Sequence, residues 1–248
     1  TESIMLATPK EFNPAVGAIA PFLVQPPTQL QPGRSTGSID RLEECLARGT
    51  LRGVEAKEHL FVEGDPKAFV YTVVTGAVCL YRVLSDGRRQ IVDFAYSGDV
   101  IGLDAGATEA FSALAAVATR VRCVPIETVR TAAARDPGVA MRLVEALSRQ
   151  IASLSNHLVW VGQRDATERV ANFLLTLSHR NEDKGGDPRT IELRITRHDI
   201  ADYLGLTIET VSRTFSKLKA SGVIGIDQGT TITISDMEQL EELADGAA

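Results

Sequence analysis

The chain has 248 residues, 44% of them apolar, and 26 Lys and Arg against 32 Asp and Glu give a formal net charge of −6. That length supports two modest domains with cores of their own, no apolar run approaches the roughly 20 residues of a membrane span, and the acidic balance disfavours indiscriminate binding to polyanions. The three cysteines, Cys45, Cys79 and Cys123, form no Cys-x-x-Cys pair, and with no charged-then-apolar leader the chain is expected in a reducing cytosol with free thiols.

Residues 1–38 contain Pro9, Pro14, Pro21, Pro26, Pro27 and Pro32 and no periodic apolar face, which predicts a mobile arm. Ser38-Ile-Asp40 opens a short helix over Arg41 to Arg48. From about 52 to 126 the pattern is β, with turn signals at Gly64-Asp65, Gly76, Gly87 and Gly98-Asp99. Short strands at such spacing indicate a sandwich or barrel, with Leu60, Val62, Val70, Val73, Val78, Leu80, Ile91, Val92, Phe94, Val100 and Val117 as its core. Asp136-Pro137 then starts a long helix, an N-cap followed by proline at the first helical position. Along it Val144, Leu147, Ile151, Leu154, Leu158 and Val161 alternate steps of three and four. That is the seam of a coiled coil between two copies; the competing interpretation packs the stripe on the chain's own β domain. Asp165-Ala-Thr-Glu168 caps a further helix running through Phe173 and Leu177, and residues 181–190 form a solvated loop.

Residues 196–226 carry the strongest signal. Two short helical patterns meet at Gly205, and Ile200, Leu204, Leu206, Val211, Phe215 and Leu218 supply a shared apolar face. This is the layout of a helix-turn-helix, with Thr207 as N-cap of the second helix. At the start of a groove-entering helix, Ile208, Glu209, Ser212 and Arg213 point at base edges. Arginine can donate a fork of hydrogen bonds to guanine, glutamate can accept from cytosine, and an isoleucine suits the thymine methyl. Thr196, Arg197, Thr207, Thr210, Lys217 and Lys219 are candidates for phosphate contacts, which fix register without reading sequence. The alternative is an ordinary exposed pair, Glu209 with Arg213 at i, i+4. It leaves the bracing helix, the glycine turn and a neighbouring hairpin pattern unexplained. Gly-Val-Ile-Gly-Ile at 222–226, a turn at Asp227-Gln-Gly229 and Thr-Ile-Thr-Ile at 231–234 predict that hairpin, a β wing. Basic residues Arg194, Arg197, Arg213, Lys217 and Lys219 gather here, whereas the tail from Asp236 to Asp245 is acidic.

The run Asp199-Ile-Ala-Asp-Tyr-Leu-Gly-Leu-Thr-Ile-Glu-Thr-Val-Ser-Arg213 resembles the DNA-binding signature of the CRP/FNR family of bacterial transcription regulators. The resemblance extends more weakly over about residues 40 to 235. Glu209, Ser212 and Arg213 are similar to the FNR/FixK branch, in which those side chains read a TTGA-type half-site; Ile208 stands where the cyclic-AMP receptor branch carries arginine. The resemblance implies an α+β chain: a mobile arm at 1–38, a β-roll (cupin-like) sensor domain at 39–136, a dimerisation helix at 137–164 and a winged helix-turn-helix domain at 165–248. It implies a homodimer on palindromic double-stranded DNA, with half-sites about one helical turn apart. It also implies contact with RNA polymerase, activation, and control of genes for low-oxygen respiration or nitrogen fixation.

The family's cofactors are expected to be absent. Leu103 and Phe111 stand where cyclic-nucleotide pockets of the family carry glutamate and arginine, and a buried phosphate without its guanidinium is undercompensated. An iron–sulfur cluster of the FNR type needs four thiolates, and the chain has three cysteines, none in its first 44 residues. Haem has only His59 or His157 as ligands. This pattern is similar to FixK-like members that act without a bound cofactor; the alternative is a sensor of the same family gated by haem or another small molecule. His59, His157, His179 and His198 are scattered, with no His-x-His pair, no Ser/His/Asp set and no phosphate loop, so neither an enzyme nor a metal site is expected. His198 is expected on the surface of the bracing helix.

Overall fold

The structure is a computed structural model that describes residues 39–104, 106–163, 165–227 and 230–246. The arm expected at 1–38 lies outside them. After α1 (Ile39–Ala47), turns divide the chain into β1 (Thr50–Val54), β2 (His59–Phe61), β3 (Phe69–Thr75), β4 (Ala77–Val83), β5 (Arg89–Tyr96), β6 (Val100–Ile101), β7 (Ser112–Ala115) and β8 (Thr119–Pro125). These strands form two four-stranded antiparallel sheets, ordered β1-β8-β3-β6 and β2-β7-β4-β5. Val54, Leu60, Val73, Val78, Ile101 and Val121 fill the space between them. Gly76 turns β3 into β4 at φ 101°, and a Cβ there would overlap Thr119, so glycine is required twice over.

One expected core residue is not in the core. Val62 is 45% exposed because β2 ends at Phe61 and the chain turns at once. The Asp65 carboxylate accepts the Val62 N–H, and the Val62 carbonyl accepts the Asp65 N–H, so the in–out alternation of a strand stops. Val92, Val100 and Val117 are half-buried at the edges of the apolar clusters.

A helix that the sequence pattern does not announce, α2 (Ile126–Arg135), comes after β8. Its two buried positions, Ile126 and Val129, merely continue the apolar run of the strand. Asp136 is extended and its carboxylate accepts the Gly138 N–H. Pro137, with no N–H to lose, can therefore begin α3 (Pro137–Gln163). The 27 residues of α3 make a rod about 40 Å long at 1.5 Å per residue.

The remainder comprises α4 (Ala166–Asp183), β9 (Thr190–Glu192), α5 (Arg197–Leu204), α6 (Ile208–Ala220), β10 (Ile224–Asp227), β11 (Thr231–Ile234) and α7 (Met237–Asp245). The expected capping box opens α4: Asp165 accepts the Thr167 and Glu168 N–H groups, and Glu168 accepts the Asp165 N–H. The wing hairpin is β10–β11, with Ile224 opposite Ile234; Gln228 and Gly229 of its turn lie outside the described residues. Two features depart from expectation. The segment read as a loop gives its first residues to α4 and its last to β9, a third strand on β11. The acidic tail folds into α7, which packs on α4 and buries Leu240 and Ala244. The mixed architecture matches the expected fold class, a β-roll, a long helix and a winged helix-turn-helix. One apolar cluster runs from Ala77, Cys79, Ile91 and Phe94 of the strands into Phe173, Tyr203 and the helix-turn-helix core. Among the described residues no helix is long and apolar enough to cross a membrane.

Candidate nucleic-acid interface

The two helices of the reading head are framed by local hydrogen bonds. Thr196 opens α5: its hydroxyl accepts the Asp199 N–H at 3.1 Å, and the Asp199 carboxylate accepts the Thr196 N–H and hydroxyl at 3.0 and 2.6 Å. Gly205 closes α5 at φ 64°, donating its N–H to the Ala201 carbonyl in the left-handed conformation that favours glycine. Thr207 then caps α6 by accepting the Thr210 N–H at 3.2 Å, an interaction whose loss costs about 1 kcal/mol. Ile200, Leu204, Val211, Phe215 and Leu218 are no more than 2% exposed and lock α5 to α6. Burying each such side chain contributes about 1.5–3 kcal/mol, so the angle between the helices is set by packing.

With that face buried, helical periodicity turns Ile208, Glu209, Ser212 and Arg213 outward together, and all four are exposed. The Glu209 carboxyl is held below the usual carboxylate range by its own backbone N–H and by the Thr207 hydroxyl, with the Arg213 charge a smaller contribution. An ionised acceptor and a guanidinium thus share one polar face over the first two turns. Lys217 and Lys219 stand exposed in the last turn. Thr207 and Thr210 form one polar corner at the helix start, their hydroxyls 3.1 Å apart. Thr196 is exposed at the start of α5. Arg197 sits differently: its guanidinium lies 3.4 Å from the centroid of the Phe215 ring and is half-buried, and that burial lowers its pKa. It roofs the core of the reading head. Arg194 is paired with Glu192 at 2.7 Å, and His198 lies on the surface of α5, 66% exposed.

On α3, Val144, Ile151, Leu154 and Leu158 are exposed, reaching 64% at Ile151 and 74% at Leu158, while Leu147 and Val161 are half-buried. With Met141 and Val159 these four make up half of the large apolar side chains that stand in solvent among the described residues.

Sequence reasoning missed the seam that holds the reading head on the β-roll. Arg89 of β5 donates from Nη2 to Asp199 Oδ1 at 2.6 Å and from Nε to Asp202 Oδ2 at 2.9 Å. Gln90 Nε2 donates to the Asp202 carbonyl at 2.6 Å. Burial opposes ionisation of Asp199, but its hydrogen bonds from Thr196 and Arg89 outweigh this and hold the carboxyl below its ordinary range. Arg180 of α4 faces Asp93 at 3.7 Å and Asp99 at 3.5 Å. Between the two charged clusters Tyr203 stacks on His157 of α3, centroids 3.9 Å apart, and packs on Phe94 and Phe173. The hydrogen-bonded partners of Arg89, Gln90 and Arg180 are 81 to 113 residues away in sequence, and no local pattern marks them.

A cavity of about 230 Å³ lies between the β-roll and α3, lined by Phe61, Leu103, Phe111 and Leu147 among others. Its polar lining is Gln150 and the acidic Asp93, Asp104 and Glu109, and among the described residues it has no basic member. Lys67, which is buried nearby, is tied to Asp104 and Glu109. An anionic phosphate does not fit such a lining. The two haem-ligand candidates are engaged in protein contacts: His59 Nε2 is 2.8 Å from the Tyr81 hydroxyl, and His157 stacks on Tyr203. Among the described residues no group of three or more His, Cys, Asp or Glu could hold a metal ion.

Comparison with known proteins agrees with this geometry. Residues 51–136 match the model of the cyclic nucleotide-binding domain, and residues 168–243 match that of the Crp-like helix-turn-helix domain. The chain is 41% identical over 187 residues to the nitrogen fixation regulation protein FixK of Bradyrhizobium diazoefficiens, covering 75% of this chain and 78% of that protein. It is 40% identical over 185 residues to the FixK of Rhizobium meliloti, covering 74% and 82% respectively. The solved structure of FixK2 from Bradyrhizobium japonicum superposes with a TM-score of 0.74 at 37% identity, over 79% of this chain and 96% of that one.

Proposed function

The chain belongs to the CRP/FNR family of DNA-binding transcription regulators, in its FixK-like branch, and from that premise we propose that it acts as a homodimer on a palindrome of TTGA-type half-sites. Its function is regulatory, not enzymatic. The observation that carries the proposal is the joint exposure of Ile208, Glu209, Ser212 and Arg213 over the first two turns of α6. Arg213 donates to guanine O6 and N7, Glu209 accepts from cytosine N4, and Ile208 meets a thymine methyl. Ser212 is a neutral donor or acceptor between them. Thr196, Arg197, Thr207, Thr210, Lys217 and Lys219 contact phosphates, and Arg197 also stiffens the head by stacking on the Phe215 ring. The apolar stripe of α3 supports a two-fold seam, through Val144, Leu147, Ile151, Leu154, Leu158 and Val161. The dimer binds without cyclic nucleotide or iron–sulfur cluster, recruits RNA polymerase in the cytoplasm, and activates its target genes, those of low-oxygen respiration or of nitrogen fixation, the latter being the process named in its FixK relatives.

Fluorescence anisotropy of the purified chain against a TTGA–TCAA duplex tests this, at fixed salt because phosphate contacts make affinity salt-dependent. Tight binding that weakens when both guanines are replaced is the expected result; equal binding to both duplexes rejects the assigned base contacts. A second reading, gating by a small neutral apolar ligand, is favoured by the cavity beneath α3. Weak binding to both duplexes that tightens when such a ligand is added would establish it.

A further inference from the structure

We propose that Arg89, on the β-roll and remote from the reading face, is a positioning residue that sets which half-site spacing the protein accepts. Asp199 and Asp202 lie three residues apart on α5, and one guanidinium bonds both, at 2.6 and 2.9 Å. A single contact would fix a point on α5. A fork bridging two carboxylates on adjacent turns also fixes the rotation of the helix about its own axis. Gln90, the next residue on β5, holds the same turn through the Asp202 carbonyl. The clamp is sheltered, since the side chains of Arg89, Asp199 and Asp202 are 24%, 12% and 18% exposed, and the Arg89 guanidinium also lies over the Tyr81 ring, 5.6 Å from its centroid.

That rotation passes to α6 without slack. Ile200 and Leu204 of α5 pack in one fully buried cluster with Val211, Phe215 and Leu218 of α6, so the two helices turn as a body. In a dimer joined along α3, the pose of α5 on β5 therefore fixes the distance and phase between the two copies of α6. B-DNA advances about 3.4 Å and turns about 35° per base pair, so an added base pair moves a half-site out of reach of a rigid pair. A loosened clamp lets the heads swivel to track it. This inference rests on the dimeric reading above.

The test measures anisotropy on TTGA–TCAA palindromes whose spacers are the preferred length and one base pair shorter or longer, for the wild-type chain and for Arg89→Gln, Asp202→Asn and the double variant. Asp199 is left intact because it also caps α5. Arg89→Gln should lose about 2- to 30-fold of the wild-type preference for one spacer, while its preference for the guanine-bearing half-site stays unchanged. Asp202→Asn should behave alike, and the double variant should be no worse than the worse single one, because the two residues act through one contact. Arg89→Lys, which keeps the charge but not the fork, should recover only part of the selectivity. If Arg89→Gln melts below assay temperature, Asp202→Asn carries the same comparison, since it removes one charge of the clamp, weakens the bond from Arg89 Nε and leaves Arg89 on Asp199.

A uniform loss of affinity on every spacer would overturn the proposal, showing that Arg89 merely stabilises the fold. Unaltered spacer preference in both single variants would also overturn it. A wild-type chain that binds an isolated half-site as tightly as the palindrome would remove the dimeric reading and this one with it. A wild-type chain that is spacer-selective, with variants that match it, would remove this one alone.

Discussion

Two helices leave a stripe of side chains in water, and the stripes are chemically opposite. α3 exposes Val144, Ile151, Leu154 and Leu158; α6 exposes Glu209, Ser212 and Arg213 beside a single Ile208. Apolar surface costs about 25 cal/mol per Å² for as long as it faces water, so the stripe on α3 is satisfied by any well-shaped apolar partner and is indifferent to salt. The face on α6 is well solvated alone. It gains from a partner only when that partner returns hydrogen bonds of the right geometry, and the charged part of the gain falls with ionic strength. On the proposed reading one surface supplies the strength of assembly and the other its discrimination, and substitutions on the two helices should fail differently.

The largest effect should come from α3. Leu158→Asp places a charge in the proposed seam; it should give a monomer by sedimentation and lower affinity for the palindrome about 10²–10⁴-fold through lost avidity, with the fold intact by circular dichroism. A dimer that survives this change would mean that the stripe has another use. Arg213→Ala should leave the dimer untouched and remove about 1–3 kcal/mol of discrimination between the guanine-bearing duplex and its control; unchanged discrimination in anisotropy would mean that Arg213 is not the guanine reader. Thr207→Ala removes the cap of α6 and should lower unfolding stability by about 1 kcal/mol in denaturant titration, without a change of preferred sequence. Lys217→Ala should do least: affinity falls evenly on all duplexes, and the slope of log K against log salt becomes shallower by about one. A sequence-dependent loss there would move Lys217 from the backbone to the bases.

Both stripes were legible in the sequence because each is a periodic pattern on one helix. Thr207, Gly205 and Asp165 were legible for the same reason: a cap is a contact between residues two to four apart. What escaped is what the chain brings together from afar. Arg89 and Asp199 each look like ordinary surface charges, and only the packing of α5 on β5 makes them a pair. The stacking of Arg197 on the ring of Phe215, 18 residues further along, has no local signature either. α2 buries only Ile126 and Val129, which continue the apolar run of β8, β9 has three residues, and Val62 continues the alternation of a strand that has already ended.

Cys79 lies in the apolar cluster that joins the strands to Phe173, Tyr203 and the rest of the helix-turn-helix core, and it is 1% exposed. Burial pushes its thiol up to about 12, so near neutrality it is held as the unreactive thiol while the seam is closed. An alkylating reagent can reach it only when the helices lift from the strands. The chain thus carries its own gauge: the rate at which Cys79 is labelled, resolved from the half-exposed Cys45 and Cys123, reports the fraction of time the reading head stands off the β-roll when reclosing outpaces the reagent, with no dye attached and no DNA present.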